Sequence, residues 1–118
     1  MRALLPLLLI AWLAGCAASP PGAPVERRLA ATPEATLREA MALLMERGYV
    51  IRHADIDLGR LDAVLARMPG YGIALRVSPG VEGGSRIEAL ATRGGRALPP
   101  DLLAPWLADL EARLRPSP

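Results

Sequence analysis

Apolar and polar positions alternate with two different periods along this chain, and the places where the period changes mark its elements. Thr32-Pro33-Glu34 combines a hydroxyl N-cap, a proline at the first helical position and an acid facing the positive end of the helix dipole. Leu37, Ala40, Met41 and Leu44 then recur at helical spacing, Glu34 and Arg38 make an i, i+4 pair, and Gly48 supplies a stop. From Tyr49 the period falls to two: Tyr49, Ile51 and His53 are expected on one side, with Val50, Arg52 and Ala54 on the other. On this reading His53 shares the face of Tyr49 and Ile51 and lies at the end of the sheet with a hydrogen-bond partner. Asp55 to Gly59 predicts a turn, and Arg60 to Arg67 a strand with Leu61, Ala63 and Leu65 inward.

Met68-Pro69-Gly70 turns the chain again, and Tyr71, Ile73, Leu75 and Val77 give the clearest strand alternation in the sequence. Ser78 to Gly84 reads as a loop. Ser85 to Arg93 is the next strand, with Ile87, Ala89 and Ala91 on one face and Arg86, Glu88 and Thr92 on the other, closed by Gly94-Gly95. Pro99-Pro100-Asp101 opens a second helix, along which Leu103, Trp106 or Leu107, Leu110 and Leu114 recur at helical spacing. Upstream, Val25 to Ala31 alternates as a first strand, with Val25, Arg27 and Leu29 on one side. The order strand, helix, four strands, helix predicts an α+β fold. It is a small two-layer sandwich, an antiparallel sheet of four or five strands with two helices packed on one face.

The N-terminal segment obeys a different grammar. Met1-Arg2 carries one positive charge, an apolar run from Ala3 to Ala14 follows, and small residues close it, as in a secretory signal. The run is shorter than the ~20 residues of a membrane-crossing helix, and Pro6 would interrupt one. Leu13-Ala14-Gly15-Cys16 resembles the lipobox of bacterial lipoproteins. That resemblance implies cleavage between Gly15 and Cys16, a diacylglyceryl thioether on Cys16, and N-acylation of the new terminus. Several acyl chains, at about 0.8 kcal/mol per buried CH₂, make such an anchor effectively permanent. Ala17, where the enterobacterial inner-membrane sorting signal is Asp, favours the outer membrane facing the periplasm. Residues 1–15 are then a cleaved signal, 16–24 a lipidated Cys with a Pro/Ala-rich tether, and 25–116 a single α+β domain.

Removing 15 of the 118 residues leaves 103, one domain's worth of chain. The mature part carries 13 Arg against 12 acidic residues, with no Lys, so no basic block of the kind nucleic-acid binding requires is present. Cys16 is the sole cysteine, which excludes an internal disulfide and leaves lipidation as the reason for an exported thiol. With Tyr49, Tyr71 and Trp106 the only aromatics after cleavage, the core must be aliphatic.

Candidate chemistry is thin. His53, Asp55 and Asp57 at i, i+2, i+4 offer imidazole and carboxylates, but both acids fall where the turn is expected. Asp62, Arg76, Arg86 and Glu88 fall on polar strand faces, where cross-strand ion pairs are the ordinary outcome. Gly83-Gly84 and Gly94-Gly95 lack the Lys and hydroxyl residue of a phosphate loop, and no Ser-His-acid arrangement stands out. Met41 and Met45 have core spacing on a helix rather than the look of a metal site, and Met68 sits in a turn. Ala74 and Gly72 leave a shallow small-residue surface on the outer strand face, where a partner would lie if that face is uncovered. No catalytic residue, metal or cofactor is expected.

The helix ending in Gly48-Tyr49, the strand that follows and the Asp55 turn resemble small bacterial envelope lipoproteins and the helix-grip domains of lipoprotein subunits in the outer-membrane β-barrel assembly machine. Those domains are interaction modules, which implies binding and not catalysis. The expected function is that of a non-enzymatic, membrane-anchored interaction or accessory module of the cell envelope. Membrane lipid is engaged through acylated Cys16, and an envelope protein is the candidate partner. The alternative is binding of a small ligand, a lipid or peptidoglycan fragment, held between helix and sheet; a hollow between the layers would favour it and a filled aliphatic core the interaction module.

Overall fold

The computed structural model describes residues 24–67 and 70–115. Cys16, Gly15, the signal segment, residues 17–23 of the tether, Met68 and Pro69 lie outside the described residues. Five strands, β1 (Val25–Leu29), β2 (Val50–Asp55), β3 (Arg60–Leu65), β4 (Tyr71–Pro79) and β5 (Ser85–Arg93), form one antiparallel sheet in the order β1-β5-β4-β3-β2. A two-residue strand absent from the sequence reading, β6 (Arg96–Ala97), pairs with the end of β5 beyond β1. Gly94 and Gly95, both at positive φ, make the tight turn that returns the chain to that edge.

Helix α1 (Pro33–Glu46) begins as its sequence dictates: Thr32 is extended and its hydroxyl accepts the Ala35 N–H at 3.3 Å. It ends at Gly48, whose φ of 87° allows Tyr49 N–H to reach back to Leu44 O at 3.0 Å while Gly48 N–H bonds Met45 O at 3.0 Å. The second helix starts later than the pattern suggests. A 3₁₀ turn over Pro100–Leu103 precedes α2 (Ala104–Leu114), so Pro105 occupies the first turn, where its missing N–H costs nothing.

Both helices pack on one sheet face. Leu37, Ala40, Leu43 and Leu44 of α1 and Trp106, Leu107 and Leu110 of α2 join Leu61, Ile73, Leu75, Val77, Ile87 and Ala89 of the sheet in one buried cluster. Leu44, Leu61, Leu75, Ile87, Leu107 and Leu110 are each under 2% exposed, so aliphatic side chains fill the interlayer space around them. Burial of each such side chain favours folding by about 1.5–3 kcal/mol. Three cross-links fasten the helices from outside. Arg113 Nη1 donates to Glu46 Oε1 at 2.9 Å, Arg47 pairs with Asp109, and Arg27 of β1 donates to Glu111 at 3.3 Å.

Candidate functional site

The opposite face of the sheet has no layer over it among the described residues. Arg60 and Asp62 of β3, Ala74 and Arg76 of β4, Arg86 of β5 and Glu26 and Arg28 of β1 remain exposed there, each alternating with a core residue. The period of two that builds the core on one side therefore builds this surface on the other.

Two shallow hollows, sharing Asp62 and Ala74, run across it. The first, of about 390 Å³, lies over Gly72 and Ala74 between Arg52, His53, Asp62 and Thr92. A methyl group at Gly72 would stand 2.7 Å from the Thr92 hydroxyl, so the floor is low because β4 has no side chain at that position. The second, of about 370 Å³, is bounded by Pro24, Arg60, Asp62, Arg76, Glu88 and Leu90.

His53 reaches this surface through an irregularity that alternation does not reveal. The register of β2 against β3 shifts between Ile51 and His53: Ile51 pairs with Ala63, His53 with Asp62 and Ala54 with Leu61. Arg52 is thus the extra residue of a bulge, and every position after it changes side. The expectation that His53 shares a face with Tyr49 and Ile51 is overturned; it is exposed and lines the first hollow, across the ladder from Asp62. The His53, Asp55 and Asp57 grouping does not assemble. Asp55 Oδ1 accepts the Leu58 N–H at 3.0 Å and shapes the turn, and Asp57 is exposed within that turn. Among the described residues no three His, Cys, Asp or Glu side chains gather as a metal site would require.

The other residues read from the sequence fall largely where polar alternation puts them. Arg86 bonds Glu26 of β1 across the strands at 3.0 Å and lies 3.9 Å from Glu88, two positions on in its own strand, both ordinary surface contacts. Met41 packs against the core while Met45 is 53% exposed. Gly84 is required by close approach, since a Cβ there would meet Leu29 O at 2.5 Å, and no phosphate-binding role follows. Alternation already set Arg52 opposite Tyr49 and Ile51 and made Arg60 the polar position before Leu61, but nothing local marked either as part of a surface site; only the side taken by His53 depends on the bulge. Among the described residues the ionisation of Glu46, Arg113 and Tyr49 is displaced. The Arg113 hydrogen bond holds Glu46 below the usual carboxylate range and raises Arg113 in turn, and burial raises the Tyr49 phenol.

Compared with known proteins, the chain matches no family model and none of the curated sequences.

Proposed function

We propose that this chain is a non-enzymatic interaction module of the bacterial cell envelope, held at the membrane by acylated Cys16 and docking through the uncovered face of its sheet. The uncovered face carries the reading: a sheet whose core side is filled by aliphatic residues leaves its outer side, with a low Gly72 and Ala74 floor and exposed arginines, as the surface available to a partner. The Leu13-Ala14-Gly15-Cys16 motif supports the anchor. The filled core around Leu44, Leu75 and Leu110 speaks against a ligand enclosed between the layers at that point, and the two hollows open on the outer face instead.

The test is purification through a C-terminal tag from detergent-solubilised membranes, with Cys16→Ser as control, followed by mass spectrometry of both the N-terminal peptide and the co-purified material. A triacylated Cys16 together with a stoichiometric envelope partner that Arg76→Ala releases supports both halves of the reading. An N-terminus that retains Met1 without acylation overturns the anchor. A partner retained in full by the Arg76→Ala variant overturns the docking face.

A further inference from the structure

The second hollow contains an arrangement that folding alone does not favour. Arg60 of β3 stands directly opposite Arg76 of β4 in the ladder, on the uncovered face. Like charges directly opposed across strands are destabilising. Four arginines elsewhere find carboxylates, Arg27 with Glu111, Arg47 with Asp109, Arg86 with Glu26 and Arg113 with Glu46, and in the other directly opposed arginine pair of this face, Arg28 and Arg86, one member is neutralised by Glu26. Among the described residues neither Arg60 nor Arg76 has an ion pair, although each has an acid on its far side in the ladder, Asp55 and Glu88. Asp55 is turned to the Leu58 N–H, and Glu88 lies 3.9 Å from Arg86. Two adjacent guanidiniums with open donors are matched to a tetrahedral oxyanion, which accepts from both forks.

The same hollow also holds Asp62, which has no ion pair among the described residues, and Glu88. These carboxylates repel a purely anionic ligand as the arginines repel a purely cationic one. A ligand carrying both signs satisfies both pairs, its anion on Arg60 and Arg76 and its cation on Asp62. Leu90 and Pro24 supply an apolar wall for the linker between the charges. Pro24 also points to the source. It is eight residues from Cys16, at most about 28 Å of fully extended chain. On the anchored reading of Cys16, on which this step rests, the hollow is therefore within reach of the surface of the membrane that carries the chain.

We propose that the hollow formed by Arg60, Arg76, Asp62 and Leu90 binds a zwitterion of phosphate and primary ammonium, the ethanolamine phosphate headgroup of the host membrane. The phosphate accepts from the two guanidiniums, and the ammonium donates to the Asp62 carboxylate. A quaternary ammonium has no N–H to donate there, so a choline headgroup binds more weakly.

The experiment uses the full mature chain with Cys16→Ser, free of any acyl group, in co-sedimentation with vesicles of phosphatidylcholine alone or mixed with phosphatidylethanolamine or phosphatidylglycerol. Thermal melts check that each further variant is folded. Binding to the ethanolamine vesicles is expected to be about tenfold tighter than to choline vesicles, a difference of about 1.4 kcal/mol. The double variant Arg60→Ala/Arg76→Ala should lose that binding about tenfold, and Asp62→Asn should erase the preference for ethanolamine over choline. Equal or tighter binding to phosphatidylglycerol would show simple charge attraction and overturn the proposal, as would ethanolamine binding untouched by the double variant. Soluble O-phosphoethanolamine is titrated in parallel, following the NMR signals of Ala74 and Leu90. A response there without vesicle binding keeps the site but overturns the headgroup as its source; a response in neither arm overturns the site. Because the variant carries no lipid, ethanolamine binding combined with an unacylated Cys16 in the native chain would remove the anchor and leave the site standing.

Discussion

The hydroxyls of Thr36 and Ser85 share a 2.8 Å hydrogen bond in the core, between the first turn of α1 and the first residue of β5. Thr36 is 0% exposed and Ser85 1%, and they are the only polar side chains among the buried described residues. Each satisfies the other, so the pair pins the helix start to the sheet at little cost. Thr36→Val keeps the shape but strands the Ser85 hydroxyl, and should destabilise by about 1–3 kcal/mol. Adding Ser85→Ala to Thr36→Val should cost less than the two single changes summed. A double-mutant cycle in urea measures this; strict additivity would show that the hydroxyls are not coupled.

Gly59 and Gly95 are both glycines at positive φ, 66° and 80°, in tight turns. They differ in surroundings: a Cβ on Gly59 would lie 1.9 Å from Val77 O, whereas nothing stands within 4 Å of one on Gly95. The close approach exists because Val77 N–H bonds Gly59 O at 2.7 Å, tying the turn after β2 to β4. Gly95→Ala should cost about 1–2 kcal/mol from backbone strain alone. Gly59→Ala should cost at least about 3 kcal/mol, because the backbone of β4 must also move. Paired urea melts give the comparison.

Opposition of Arg60 and Arg76 predicts a gain in stability on removal of either charge. Arg60→Thr or Arg76→Thr should stabilise the fold by about 0.2–1 kcal/mol at low salt, and the gain should shrink as salt screens the repulsion. Thermal melts at two ionic strengths read this without any ligand. A loss of stability at low salt would mean that attraction to Asp55 and Glu88 across the ladder, or packing of the aliphatic stems, outweighs the repulsion.

Tyr49 is half-buried against the core, and burial raises its phenol above its ordinary value. The folded state therefore prefers the neutral phenol more than the unfolded chain does. The stability this brings is complete below the unfolded value near pH 10 and is lost as pH rises through the higher folded value. Tyr49→Phe should flatten the alkaline limb of a stability profile while leaving its neutral region nearly unchanged.

At the acid end the sign reverses. Glu46, held low first by its hydrogen bond from Arg113, stabilises the fold above its unfolded value and ceases to do so as pH falls through the folded one. Glu46→Gln should flatten the profile below about pH 5. The carboxylate is exposed to solvent and its pairing screened, so the change at neutral pH should be small.

Much of this fold was written in short-range pattern. Thr32-Pro33 starts α1 and Gly48 ends it, the Tyr71 to Val77 alternation makes β4, and the inward sets of β3 and β5 are those that periodicity names. These features depend on dihedral preferences and on burying one side of an element, and both act over a few residues. The small Gly72 and Ala74 positions on the outer strand face followed from the same alternation. Tertiary pairing decided the rest. That β1 lies beside β5, that β6 completes that edge, that Arg52 bulges and sends His53 to the outer face, and that Arg60 meets Arg76 all depend on strand register. Register joins segments far apart in the chain and shifts by one residue at a bulge, which reverses every later side chain. A local period carries no record of such a shift, so chemistry gathered across strands emerges only once the strands are paired.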